Sequence, residues 1–200
     1  WMDTSGWFDR KTMEFRHLID LTFIGAMGPP GAGRPYLTGR YQRHYNLVFV
    51  TPFENESMLR IFTTVLQWFL GGFPGPVASL APNTVKATVQ LYDSIRGEMR
   101  PTPTKSHYTF NLRDIAKVHQ GICVCEKSSL PGADDLMKCW AHEAYRVFSD
   151  RLVTKDDMAW FADKIKEYVK EFYKKDWKSL VKTDSLVWCD FIERKKPYYQ

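Results

Sequence analysis

Four arginines occupy positions where a guanidinium could meet a phosphate: Arg34, Arg40 and Arg43 in "GPPGAGRPYLTGRYQRHY", and Arg113 in "FNLRD". Arginine carries a planar fork of donors and stays charged. It can complete a phosphoryl-transfer site from outside, where such a finger is worth roughly three to five orders of magnitude in rate. Arg40 and Arg43 are three residues apart, a spacing that one helical turn brings together. Spacing alone leaves two readings open: the arginines bridge surface acids, as exposed ion pairs commonly do, or they serve a phosphate.

The glycines around them raise the same question. Gly28 and Gly33 have the spacing of the phosphate cradle G-x-x-x-x-G-K-[ST], behind the apolar run "LIDLTFIGAM". The cradle needs a Lys for the outer phosphates and a hydroxyl for Mg²⁺, but the chain has Arg34 and Pro35 there. No sustained helical stripe follows whose N-terminus could face an anion, so the segment reads as a Gly/Pro turn between two strands. No strand ends in the paired acids that hold magnesium. His17, His44, His107, His119 and His142 are scattered, outside any nucleophile-elbow or H-E-x-x-H context. These residues alone give no means of holding Mg-nucleotide in a reactive geometry, and the chain by itself is expected to be inert.

Composition narrows the rest. With 44% hydrophobic and 15% aromatic residues in 200, the chain can bury a core. The net charge of +5 is mild, and residues 153–200 carry 11 Lys/Arg against 9 Asp/Glu, which describes solvated helix faces better than a nucleic-acid stripe. Cys123, Cys125, Cys139 and Cys189 lack C-x-x-C and zinc-like spacing and read as reduced thiols with no metal. No apolar run reaches the length of a membrane span, and "WMDTSGWFDR" is not a signal peptide. Lacking a starter Met, it reads as an internal piece of a longer chain.

The elements that must position the arginines follow from periodicity. "LIDLTFIGAM" and "NLVFV" are β-branched and apolar and predict strands. Beyond Val50 the pattern turns helical. Met58, Ile61, Phe62, Val65, Leu66 and Phe69 define one stripe, and Val85, Val89, Tyr92 and Ile95 another. Asn111 and Asp114 form a capping-box pattern ahead of the stripe Ile115, Val118 and Ile122, which sets Arg113 in a helical first turn. Free N–H groups there favour anions, although an Arg in a first turn is also an ordinary surface residue. Two longer stripes follow: Met137, Trp140, Ala144, Phe148 and Leu152, then Phe161, Ile165, Tyr168 and Phe172, the latter behind a Thr154/Asp157 box. "SLVWCDFI" predicts a closing strand before a basic "ERKKPYYQ". The fold class is α/β followed by mainly α: the end of an α/β layer over 1–52, a helical lid over 53–152, and a connecting helix and strand over 153–200.

Three segments, "AMGPPGAGRPYLTGRYQRHYNLVFV", "KSHYTFNLRDIAKVHQG" and "LMKCWAHEAYRVFSDRLV", in this order and at these distances, closely resemble the third AAA+ module of dynein heavy chains, the axonemal ones in particular. The resemblance covers nearly the whole chain. The family's usual "AAMGPPGGGRN…TPRFLRHFN" differs at Ala32, Pro35 and Thr38-Gly39, all inside the loop.

The resemblance implies the end of an AAA+ large α/β subdomain followed by a helical AAA+ lid. "LTFIGAM" looks like the sensor-1 strand, with Gly28 where active modules often have Asn. Arg43 resembles the arginine finger that faces the preceding module's nucleotide, Arg113 the sensor-2 arginine of this module's own lid, and Arg34 a structural residue of the loop. Walker A and Walker B would lie upstream. The implied parent is an ATP-hydrolysing motor that moves along microtubules in cilia and flagella. It would use ATP/ADP with Mg²⁺, and neighbouring AAA+ modules, intermediate chains and light chains would be its partners. In such a ring the first module drives the stroke and the third gates it. The competing expectation is a stand-alone helical protein-interaction module without nucleotide chemistry.

Overall fold

The computed structural model describes residues 1–30, 35–182, 186–189 and 198–199, which divide into two compact units, Trp1–Pro52 and Phe53–Gln200. In the first unit, β1 (Gly6–Phe8) and β2 (Phe15–His17) form an antiparallel hairpin with Trp7 opposite Arg16. The Asp9 carboxylate closes its turn by accepting from the N–H groups of Lys11 and Thr12. Gly6 is required by close approach, since a Cβ there would meet the Arg16 carbonyl and the Phe15 ring. One short helix, α1 (Gly39–Gln42), follows.

The strands expected at "LIDLTFIGAM" and "NLVFV" do not form: both segments run without a ladder partner among the described residues. Ile24 is 94% exposed and Val48 84%, and Leu21, Phe23, Met27, Leu47, Phe49 and Val50 are exposed with them. β-branched composition describes a fit to a pleated, half-buried surface, and such a surface exists only where neighbouring strands supply it. The hairpin at residues 6–17 was not anticipated, because neither of its three-residue strands carries a period-2 pattern.

The second unit is helical: α2 (Asn55–Leu70), α3 (Gly75–Ala78), α4 (Ala81–Glu98), α5 (Leu112–Cys123), α6 (Ala133–Phe148), α7 (Lys155–Tyr173) and α8 (Trp177–Leu180). Helix α4 is central, with α2 and α7 against it, while α5 packs on α6. The expected stripes of α4, α5 and α6 are all buried. Helix α2 differs in part: Met58, Leu66 and Leu70 are buried, but Ile61 and Val65 are exposed and Trp68 is 82% exposed. Its apolar arc is wider than the single face that the core covers. In α7, Phe161, Ile165 and Tyr168 join the same core, so this helix packs with the lid helices.

Thr84, Thr88, Trp140 and Tyr173 satisfy one another's polar groups along one line inside this core. Thr88 Oγ1 donates to the Thr84 carbonyl at 2.7 Å and accepts from Trp140 Nε1 at 2.9 Å. The Tyr173 hydroxyl donates to Thr84 Oγ1 at 3.0 Å. These bonds fasten α6 and α7 to α4 at defined register. The Cys125 and Cys139 thiols share a hydrogen bond, their sulfurs 3.4 Å apart, and form no disulfide.

Beyond α8, β3 (Trp188–Cys189) pairs antiparallel with β4 (Tyr198–Tyr199). The rest of the expected closing strand, residues 185 and 190–192, lies outside the described residues, as does most of the basic terminus.

Candidate functional site

The N-terminal end of α5 is built from the residues around Arg113. Asn111 is extended (φ −140°, ψ 177°), and its side-chain oxygen accepts from the Arg113 backbone N–H at 2.9 Å. Asp114 closes the box by accepting from the Asn111 N–H at 2.9 Å. Two of the helix's orphan donors are thereby met, and the first turn is fixed. Asp114 is buried, and its Oδ2 also takes Nη2 of Arg151, at 3.2 Å, from the short 3₁₀ turn Ser149–Arg151 after α6. The Arg151 guanidinium lies over the Phe110 ring, 4.6 Å from its centroid. Arg113 itself is exposed, and its guanidinium has no partner among the described residues. Among the described residues it is a free cationic fork on a capped first turn.

The strap of turns that leads into α5 is clamped to the α6–α7 junction. Lys105 Nζ reaches Asp157 Oδ2 at 2.5 Å, the buried Tyr108 hydroxyl donates to the same oxygen at 2.8 Å, and that hydroxyl accepts from the Val153 N–H at 2.9 Å. His107 Nε2 is 3.0 Å from the Arg151 carbonyl. Burial alone would raise the Asp157 carboxyl, but hydrogen bonds from Lys105, Thr154 and Tyr108 outweigh it and hold the group below its ordinary range. The same bond to Asp157 raises Lys105.

Thr154 does cap α7, its hydroxyl accepting from the Asp157 N–H at 3.4 Å. The reciprocal half of the expected box is not made, because Lys105 and Tyr108 claim the Asp157 carboxylate. Asp157→Ala is therefore expected to destabilise the lid by about 1–3 kcal/mol, chiefly through the lost acceptor of the buried Tyr108 hydroxyl. Hydrogen exchange should accelerate over residues 102–111 while α4 exchanges as before, and unchanged exchange in the strap would count against the clamp.

The remaining candidates lie in the first unit. Arg43 stands at the C-terminal end of α1, with Nη2 2.5 Å from Asp3 Oδ1 and Nε 3.3 Å from His44 Nε2. More than half of its side chain is exposed. Arg40, in the same turn, is exposed with no side-chain partner among the described residues. Gly28 is half-exposed in an irregular stretch. Arg34 and the glycine-rich residues 31–33 lie outside the described residues. Among the described residues no cluster of His, Cys, Asp or Glu could hold a metal ion, and no helix is long and apolar enough to cross a membrane. Sequence reasoning missed Arg151, Lys105, Tyr108 and the role of Asp157. Their pairings span 37 to 52 residues and leave no mark in local spacing.

The comparisons with known proteins agree with this arrangement. Residues 57–158 match the model of the dynein heavy chain ATPase lid domain, and residues 1–53 that of the P-loop containing dynein motor region. Relatives include dynein axonemal heavy chain 1 of Mus musculus, 41% identical over 186 residues, covering 86% of this chain and 4% of the relative. Dynein axonemal heavy chain 3 of Homo sapiens is 38% identical over 175 residues, covering 87% and 4%. Dynein axonemal heavy chain 12 of Mus musculus is 37% identical over 177 residues, covering 88% and 6%. The end of a P-loop motor region followed by a helical lid is the arrangement of an AAA+ module. The chain belongs to the dynein heavy chain family. It spans only 4–6% of the length of these relatives.

Proposed function

We propose that the chain forms the end of the large subdomain and the lid of the third AAA+ module of an axonemal dynein heavy chain, a microtubule motor of cilia and flagella. In this reading Arg113 is the sensor-2 residue, which contacts the module's own nucleotide from the lid. Arg43 is the finger offered to the preceding module's nucleotide, and Gly28 occupies the sensor-1 position. Neighbouring AAA+ modules of the same heavy chain are the immediate partners; microtubules and the intermediate and light chains belong to the parent assembly.

The observation that carries the reading is the state of Arg113: an exposed guanidinium, unpartnered among the described residues, on a turn held by a capping box. Its donor set fits a phosphate oxygen, and the dipole of α5 favours an anion on the same side. ATP or ADP with Mg²⁺ would supply the transferable phosphoryl group. The residues of this chain bind and orient it, while the phosphate-holding Lys, the magnesium hydroxyl and the paired acids are absent from these 200 residues. Arg43 now holds Asp3, and that exposed pair costs at most about 1 kcal/mol to open, so a finger role remains accessible. The exposed runs 21–27 and 47–50 need strand neighbours, which the rest of an α/β layer would provide.

The test is Arg113→Ala in the intact heavy chain, with photoreactive 8-azido-ATP and label recovered in lid peptides. Loss of one charge-assisted phosphate contact is expected to weaken apparent nucleotide affinity by roughly tenfold. Unchanged labelling would remove the sensor role.

A further inference from the structure

Among the described residues, Arg151 is the one charged side chain that touches both flanks of the Asn111–Arg113 turn. On the near side its guanidinium covers Phe110, the residue before the N-cap; on the far side its Nη2 meets Asp114, the residue after Arg113. Its carbonyl takes a third hold through His107. The Arg151 Nε is buried with no hydrogen-bond partner among the described residues, an unfavourable state that the guanidinium's other contacts must offset. Asp114 does not need Arg151 for capping, since its bond to the Asn111 N–H is made independently. What Arg151 adds is orientation: the first turn of α5 cannot pivot about its cap without leaving the Phe110 ring or the Arg151 fork.

We propose that Arg151 is a positioning residue for Arg113: by clamping Phe110 and Asp114 it fixes the turn that presents the Arg113 guanidinium, so nucleotide contact by the lid depends on the α6–α7 junction. This rests on the sensor-2 reading of Arg113 given above. The junction that carries Arg151 also carries Val153 and Asp157, which hold Tyr108 and Lys105 of the strap. A shift of α7 relative to α5 is thereby conveyed to Arg113 through the buried Tyr108, Phe110 and Asp114 and the part-buried Lys105, Arg151 and Asp157 that hold them.

A double-mutant cycle in the intact heavy chain tests the proposal, with 8-azido-ATP labelling of lid peptides as the readout. Arg113→Ala and Arg151→Ala are each expected to weaken apparent affinity by roughly tenfold, and the double variant to be no weaker than Arg113→Ala alone, because residues acting through one contact do not add. Arg151→Lys keeps the charge beside Asp114 but loses the planar fork over Phe110. It should weaken labelling by about threefold when Arg113 is present and not at all when Arg113 is Ala. This milder variant carries the test if Arg151→Ala fails to fold. Losses that multiply in the double variants, or Arg151 variants that label like the parent while Arg113→Ala does not, would overturn the positioning role and leave the sensor reading standing. Parental labelling by Arg113→Ala would overturn the sensor reading, and the inference with it.

Discussion

Trp140→Ala is expected to remove about 3–5 kcal/mol from the stability of the helical unit, a large part of what a domain of this size possesses. Trp140 is fully buried on α6, and two things are lost with it. The indole fills the space between α6, α4 and α7, with the Tyr173 ring 5.7 Å away centroid to centroid, so truncation leaves a cavity among helices that cannot all close on it. Its Nε1 also donates to Thr88, the bond that sets the register of α6 on α4. Trp140→Phe separates the two effects, because it keeps most of the volume and drops the hydrogen bond. It should cost about 1–2 kcal/mol. The measurement is urea denaturation followed by circular dichroism at 222 nm. A midpoint for Trp140→Ala within experimental scatter of the parent would mean that α6 is not seated as described. The functional consequence is a lid that no longer holds the α6–α7 junction, and with it Arg151 and the Arg113 turn.

The five long helices, α2, α4, α5, α6 and α7, were legible in the sequence because each buries a stripe against neighbours that the chain itself contains. Ile115, Val118 and Ile122 reveal α5, and Asn111 with Asp114 reveals where it starts, since a capping box is written in four consecutive residues. The location of Arg113 followed directly. "LIDLTFIGAM" and "NLVFV" were misleading for the converse reason: strands are completed by other strands, and no ladder partner is present among the described residues. Ile61 and Val65 show the same effect in a helix, apolar by periodicity yet outside the core. The arginines divide likewise. That Arg43 meets Asp3, 40 residues earlier in the chain, and that Arg151 meets Asp114, 37 residues earlier, are facts of tertiary packing with no local signature. Asp157 could be recognised as acidic and helix-starting, but competition for its carboxylate between Thr154's backbone, Lys105 and Tyr108 is decided only in three dimensions.

His119 makes the stability of this unit depend on pH in a way that can be signed. The ring lies on the buried face of α5, stacked on Phe62 of α2 with centroids 4.7 Å apart and planes 12° from parallel. Nδ1 bonds the Ile115 carbonyl at 2.8 Å, and Nε2 is buried without a partner among the described residues. Burial disfavours the imidazolium and outweighs the help from the Ile115 carbonyl, pushing the pKa down to about 4 from the usual 6.5. Between those values the unfolded chain takes up a proton that the folded chain refuses, so stability rises with pH. The contribution is complete above about pH 6.5 and is lost as pH falls towards 4, amounting to roughly 3 kcal/mol. Burial lowers His142 as well, which adds a loss of the same sign. His119→Leu removes the titrating ring and the orphaned Nε2 together, so it should be close to neutral at pH 7. It should also flatten the fall in urea midpoint between pH 6.5 and 4.5, with the His142 share remaining. An undiminished slope in His119→Leu would show that the acid sensitivity arises elsewhere. The expected slope would locate it at the α2–α5 contact, two turns along the helix from Arg113.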